Sequence, residues 1–68
     1  MKVIAKGTIR VRGGQIHIGR YELPSTHRSE FYSSMANGGP FRYIAGIAGN
    51  RTEVQIHKVG KELEVRRN

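Results

Sequence analysis

The stretch IRVRGGQIHIGRY, residues 9–21, holds two interleaved patterns. Ile9, Val11, Ile16 and Ile18 are apolar, and Arg10, Arg12, His17 and Arg20 are polar or charged. A period of two is the signature of a half-buried strand. Gly13-Gly14 supplies two neighbouring residues free to take positive φ, as a tight two-residue hairpin loop requires. That loop pairs Arg12 with Gln15, Val11 with Ile16, Arg10 with His17 and Ile9 with Ile18. Apolar residues then meet on one face and basic residues on the other. Turn chemistry and side-chain pattern select the same register.

The alternation extends upstream. From Lys2 to Arg12, Val3, Ala5, Ile9 and Val11 share one side, and Lys2, Lys6, Thr8, Arg10 and Arg12 the other. Ile4 breaks the rule. Downstream the phase slips, because Tyr21 and Leu23 align with His17 rather than with Ile18. Two readings account for this. In one, Gly19 holds a bulge that re-aims the strand. In the other, the far end of the hairpin is buried on both faces, with Ile4 near Leu23. Pro24 holds Leu23 extended and closes the strand.

Residues 26–36 read as one short helix, with a loop as the competing reading. Ser25 or Thr26 is positioned to cap it. Phe31 with Met35, and Tyr32 with Ala36, lie four apart and form candidate inward pairs. Asn37-Gly38-Gly39 followed by Pro40 marks the stop. The last section alternates again. A Gly49-Asn50 turn sets Tyr43 against Ile56, Ala45 against Val54 and Arg42 against His57. A Gly60-Lys61 turn sets Ile56 beside Val65, Lys58 beside Leu63 and His57 across from Glu64. Arg66 to Asn68 read as a frayed tail.

The expected fold is therefore α+β, in the order ββαβββ. It is a small, mostly antiparallel sheet, or a curled barrel, with one helix against it. Sixty-eight residues make a single domain spanning 1–68. A core of this size is thin, and self-association is a common remedy, so a homodimer is expected. There is no cysteine, which excludes disulfides and thiolate metal sites. The scattered histidines and absent aspartate offer no metal-ligand spacing, and no cofactor is expected. No apolar run is long enough to span a bilayer, and the opening Met1–Lys6 is too interrupted for a signal peptide, so no membrane partner and a cytoplasmic location are expected.

Charge is the strongest compositional feature. Twelve Lys and Arg oppose five Glu, for a formal +7. Eight of the cations are Arg, whose planar fork matches phosphate and carboxylate. So much like charge on a short chain repels itself, and an acidic partner relieves that repulsion. The outer face of the opening ribbon is the first candidate site: Lys2, Lys6, Arg10 and Arg12, with Gln15, His17 and Tyr21. Alternate strand residues stand ~6.6 Å apart, close to two phosphate steps of one strand. A two-stranded ribbon also fits the major groove, where Arg and Gln read base edges. The plain alternative is that these cations only keep one face of a sheet soluble.

Other features give weaker signals. Ser25, Thr26, His27, Arg28 and Ser29 surround a helix start, which suits either ordinary capping or a phosphate. Gly46 fits a bulge or a close backbone approach. His17, His27 and His57, with Arg and Tyr, are ingredients of a metal-independent ribonuclease, but no register brings two of them together. The leading expectation is a non-enzymatic module that binds DNA or RNA. Its contacts are Lys6, Arg10, Arg12, Gln15 and His17, with Arg20, Arg28 and Arg42 on phosphates. Four neutralised phosphates would give a salt slope of about −3.6 on duplex DNA. The alternative is a small interaction or inhibitor protein, of a kind carried by mobile elements, docking on an acidic protein surface. A small ribonuclease is third.

Overall fold

The computed structural model describes all 68 residues. Seven strands and one helix follow in chain order: β1 Lys2–Gly7, β2 Ile9–Arg12, β3 Gln15–Ile18, β4 Tyr21–Leu23, α1 Arg28–Ala36, β5 Phe41–Ile47, β6 Asn50–Val59 and β7 Glu62–Arg67. A single 3₁₀ turn, Ser25–His27, leads into α1. The strands form two antiparallel sheets, one ordered β1-β7-β6-β5 and the other β2-β3-β4. This is the mixed α+β class with one short helix, and no barrel closes. Four strands precede the helix rather than two.

The β2–β3 register is the one that Gly13-Gly14 dictates: Ile9 opposite Ile18, Arg10 opposite His17, Val11 opposite Ile16 and Arg12 opposite Gln15. Both turn glycines have positive φ, at 58° and 78°. β6 and β7 also pair as expected, with Ile56 opposite Val65 and His57 opposite Glu64.

Three expectations of strand course and register change. First, the opening alternation is two strands, not one. The chain leaves the first sheet after Gly7 and joins the second at Ile9. β1 pairs with the free edge of β7, so Ile4 does not lie beside Leu23 in a hairpin. Ile4 instead occupies an irregularity between Val3 and Ala5, which explains its broken phase. Second, Gly19-Arg20 is a two-residue turn rather than a bulge. It sets Ile18 opposite Tyr21 and Ile16 opposite Leu23, returning both downstream residues to the apolar side. Third, the β5–β6 turn is Ala48-Gly49, both with positive φ. Tyr43 therefore faces Val54, and Arg42 faces Gln55. This register places Phe41 against Ile56, two buried side chains. The Gly49-Asn50 turn would have set Phe41 against Lys58. Ala48 bears the left-handed backbone cost of ~1–2 kcal/mol, and the Phe41–Ile56 pair offsets part of it.

The core lies between the two inner faces and α1. Ile16, Ile18 and Leu23 come from the small sheet, and Val54, Ile56 and Val65 from the large one, all at 0–1% exposure. Phe31 and Met35 dock the helix, with Phe31 meeting Phe41 edge-on at 5.8 Å between centroids. Tyr32 and Ala36 stay exposed, because a nine-residue helix on a thin core buries one narrow stripe. No side chain caps the helix start, and the 3₁₀ turn takes that place, with the His27 amide donating to the Pro24 carbonyl. Gly46 is an ordinary strand residue opposite Arg51, with open space around its α-carbon, so neither a bulge nor a close approach occurs there. Arg66 and Arg67 are paired in β7 rather than frayed.

The two sheets cross at Gly7 and Gly19. A β-carbon on Gly7 would stand 2.9 Å from the Gly19 amide nitrogen. One on Gly19 would run into the Lys6 carbonyl group. Two backbones come this close only where both lack side chains.

Candidate nucleic-acid interface

The crossing at Gly7 divides the cations of residues 2–12. Lys2 and Lys6 travel with the large sheet, while Arg10 and Arg12 travel with the small one. The expected common plane is therefore two surfaces. Lys6 stands opposite Glu64 in register, with its Nζ 3.8 Å from that carboxylate. Arg66 meets the same glutamate at 3.0 Å. These are the protein's two ion pairs, and both converge on Glu64. Lys6 thus drops out of the ribbon face for two reasons, position and partial neutralisation.

What remains on the ribbon is compact. Arg10 and His17 form one cross-strand row, and Arg12 and Gln15 the next, toward the tip. Rows on one face repeat every second residue, ~6.8 Å along the strand. All four β2 residues are exposed, and neither arginine has a carboxylate within ion-pair distance. One acid shares the face: Glu22 of β4 lies opposite His17 and ends the Arg10–His17 row. The Gly19-Arg20 turn puts it there, so reading that turn from the sequence would have placed it.

Arg28 joins this group from the helix. Its guanidinium donates to the Gly14 carbonyl at 3.4 Å and lies 6.0 Å from the Tyr32 ring centroid. This places a third arginine at the hairpin tip, beside the Arg12–Gln15 row. Arg10, Arg12, Gln15 and His17 share the ribbon's outer face, and Arg28 reaches the backbone of its tip. Arg20 is not part of this group, because it occupies the turn at the opposite end of β3. Arg42 is not either. It lies on the outer face of the large sheet, in a row with Gln55 and Arg66.

That outer face is a self-contained polar mesh. The His57 imidazole and the Gln55 side-chain carbonyl are 2.8 Å apart, so Nε2 carries the proton it donates. The Gln55 amide in turn donates to Glu53 at 3.2 Å. Burial depresses the His57 pKa below its ordinary value, and the nearby Arg66 and Arg42 add to this, against the opposing pull of Glu64. Arg66 is ion-paired to Glu64 on this face, whereas neither Arg10 nor Arg12 forms an ion pair on the ribbon.

His17, His27 and His57 stand on three separate surfaces. His17 is on the ribbon and His57 on the outer face of the large sheet. His27 lies at the 3₁₀ turn, its ring 4.5 Å from that of Tyr43. The Tyr43 hydroxyl is hydrogen-bonded to Tyr21, and burial raises the pKa of both phenols. No three His or Glu side chains gather into a metal-binding group. No helix is long and apolar enough to cross a membrane. No protein-family model, curated protein or solved structure matches the chain.

Proposed function

We propose that the protein binds nucleic acid through the outer face of the β2–β3 ribbon. One observation carries the reading: Arg10 and Arg12 stand in successive exposed rows with no carboxylate partner, and Arg28 is drawn to the same tip. Arginine forks set ~6.8 Å apart suit phosphates two steps apart on one strand. Gln15 and His17 lie beside the two arginines on the neighbouring strand and supply hydrogen-bonding groups for base edges or sugars. Lys6 and Arg42 play no part, and Arg20 faces another region. The contact set shrinks to three cations, which sets the slope of log affinity against log salt near −2.7 on duplex DNA.

The test is a titration of labelled duplex DNA and single-stranded RNA with three proteins at low salt. Binding through the ribbon predicts that Arg10→Ala/Arg12→Ala loses affinity for the preferred form by about 10-fold or more. Lys6→Ala should bind like the wild type. Equal losses in both variants would reduce the effect to net charge and remove the ribbon as a site.

A second reading, docking on an acidic protein strand, has its own support. β2 is an edge strand, and Ile9 and Val11 point to the core side yet remain 38% and 50% exposed. The strand overhangs the core and leaves an unpaired backbone edge, a geometry suited to strand addition. Val11→Ser separates the two readings. It leaves nucleic-acid binding intact if Arg10 and Arg12 make the contact, and weakens docking if the apolar overhang does.

A further inference from the structure

At the far end of β3 from the hairpin tip, a cleft of ≈ 470 Å³ opens between the two sheets. Its cations come from three distant parts of the chain: Lys2 from β1, Arg20 from the β3–β4 turn and Arg67 from β7. Its apolar wall includes Ile4, Ile47 and Tyr21. No carboxylate lines it. The volume falls within the ~300–1,000 Å³ typical of small-molecule sites.

The electrostatics of this cleft are unbalanced. Lys2 and Arg67 are direct cross-strand partners, an arrangement of like charges that weakens a sheet. Arg20 adds a third positive charge. Both ion pairs of the protein lie elsewhere, on Glu64. An anion seated among the three cations removes this repulsion. The irregularity at Ile4 contributes on the other side. It takes that side chain out of the strand's alternation and makes it part of the cleft wall. The Tyr21 ring is held by its hydroxyl bond to Tyr43 and presents a fixed aromatic surface.

We propose that this cleft binds a nucleoside monophosphate unit, free or as the phosphorylated end of an oligonucleotide. The phosphate sits among Lys2, Arg20 and Arg67, and the base lies on the Ile4, Ile47 and Tyr21 wall. A phosphate monoester carries nearly two negative charges at neutral pH, which suits three cations better than a single carboxylate does. An open cleft walled by aliphatic side chains and a tyrosine suits a flat base, which stacks on an aromatic ring. The site shares no residue with the ribbon's set of Arg10, Arg12, Gln15, His17 and Arg28, and does not depend on the ribbon's function.

The experiment is a titration of the isotope-labelled full chain, followed by amide chemical shifts. The probes are adenosine monophosphate, adenosine and inorganic phosphate, with a short oligonucleotide carrying or lacking a 5′-phosphate. The monophosphate should give saturable millimolar-or-tighter shifts at Ile4, Arg20, Tyr21 and Ile47. Adenosine and inorganic phosphate should each bind more weakly. Arg20→Ala should weaken the monophosphate by about tenfold, and Arg10→Ala/Arg12→Ala should leave it unchanged. Phosphate-dependent binding of the oligonucleotide identifies a strand end as the source, and binding of the free nucleotide alone identifies the monomer. Three results overturn the proposal: no saturable shifts, equal binding of inorganic phosphate, or shifts that Arg20→Ala does not affect.

Discussion

Replacing Gly19 by alanine isolates the crossing of the two sheets, and Gly14→Ala provides its control. Gly14 and Gly19 both have positive φ, at +78° and +58°. An alanine at either position bears the left-handed backbone cost, ~1–2 kcal/mol. Their surroundings differ. A β-carbon on Gly14 meets nothing within 4 Å. One on Gly19 would lie 3.2 Å from the Lys6 carbonyl carbon and nearer still to its oxygen, inside the 3.0 Å that real β-carbons respect. Backbone cannot rotate aside as a side chain can, so β1 must move away from the β3–β4 turn. Crowding of this kind costs a further ~1–3 kcal/mol. Gly14→Ala is therefore expected to cost ~1–2 kcal/mol, and Gly19→Ala ~2–5 kcal/mol. The total stability of a 68-residue domain is only ~3–10 kcal/mol. Gly19→Ala should lower the urea midpoint clearly further than Gly14→Ala does, by the added ~1–3 kcal/mol of crowding. Urea unfolding of both variants, followed by circular dichroism, gives the comparison. Equal destabilisation would refute the close crossing, and with it the division of the basic residues between two sheets.

Other perturbations read the core and the titrating groups. Phe31→Ala should cost ~3–5 kcal/mol, since Phe31 is fully buried under the helix, whereas Tyr32→Ala should cost under ~1 kcal/mol; thermal melts compare the two. The His57 pKa is lowered on folding from 6.5, so below pH 6.5 the unfolded chain takes up protons first. Stability contributed by the neutral imidazole is present above that pH and is lost as the pH falls toward the folded value. His57→Gln should flatten this acid limb in urea titrations across pH. Tyr21 and Tyr43 have folded pKa values raised above 10.0, so the unfolded chain loses its protons first and stability falls as the pH rises past 10.0. Tyr43→Phe should reduce that alkaline loss while costing about 1 kcal/mol at neutral pH through the lost hydroxyl bond.

Much of this fold was legible where turn chemistry and alternation agreed. Gly13-Gly14 set the ribbon register, and Gly60-Lys61 set that of the last hairpin. The β5–β6 turn was harder, because alanine gives no signal for positive φ. A two-residue slip also keeps every side chain on its own face, so the alternation could not expose it. The sheet change at Gly7 left no mark for a similar reason. Ile9 and Val11 continue the rhythm of Val3 and Ala5 even though the strands belong to different layers. That crossing separated Lys6 from Arg10 and Arg12. It depends on contact between Gly7 and Gly19, which are twelve residues apart, and no local pattern encodes it. Arg28 was legible as a cation but not as a neighbour of the ribbon. Its place there follows from how the helix docks, through Phe31 and Met35.

The salt dependence of nucleic-acid binding bears most directly on the ribbon. Affinity measured by fluorescence anisotropy on duplex DNA should fall with a log–log slope of about −2.7, some 40-fold between 50 and 200 mM salt. Arg10→Ala/Arg12→Ala, leaving Arg28 alone at the tip, should bring the slope to about −0.9. A flat response in the wild type, or a slope untouched by removing both arginines, would contradict binding through this face.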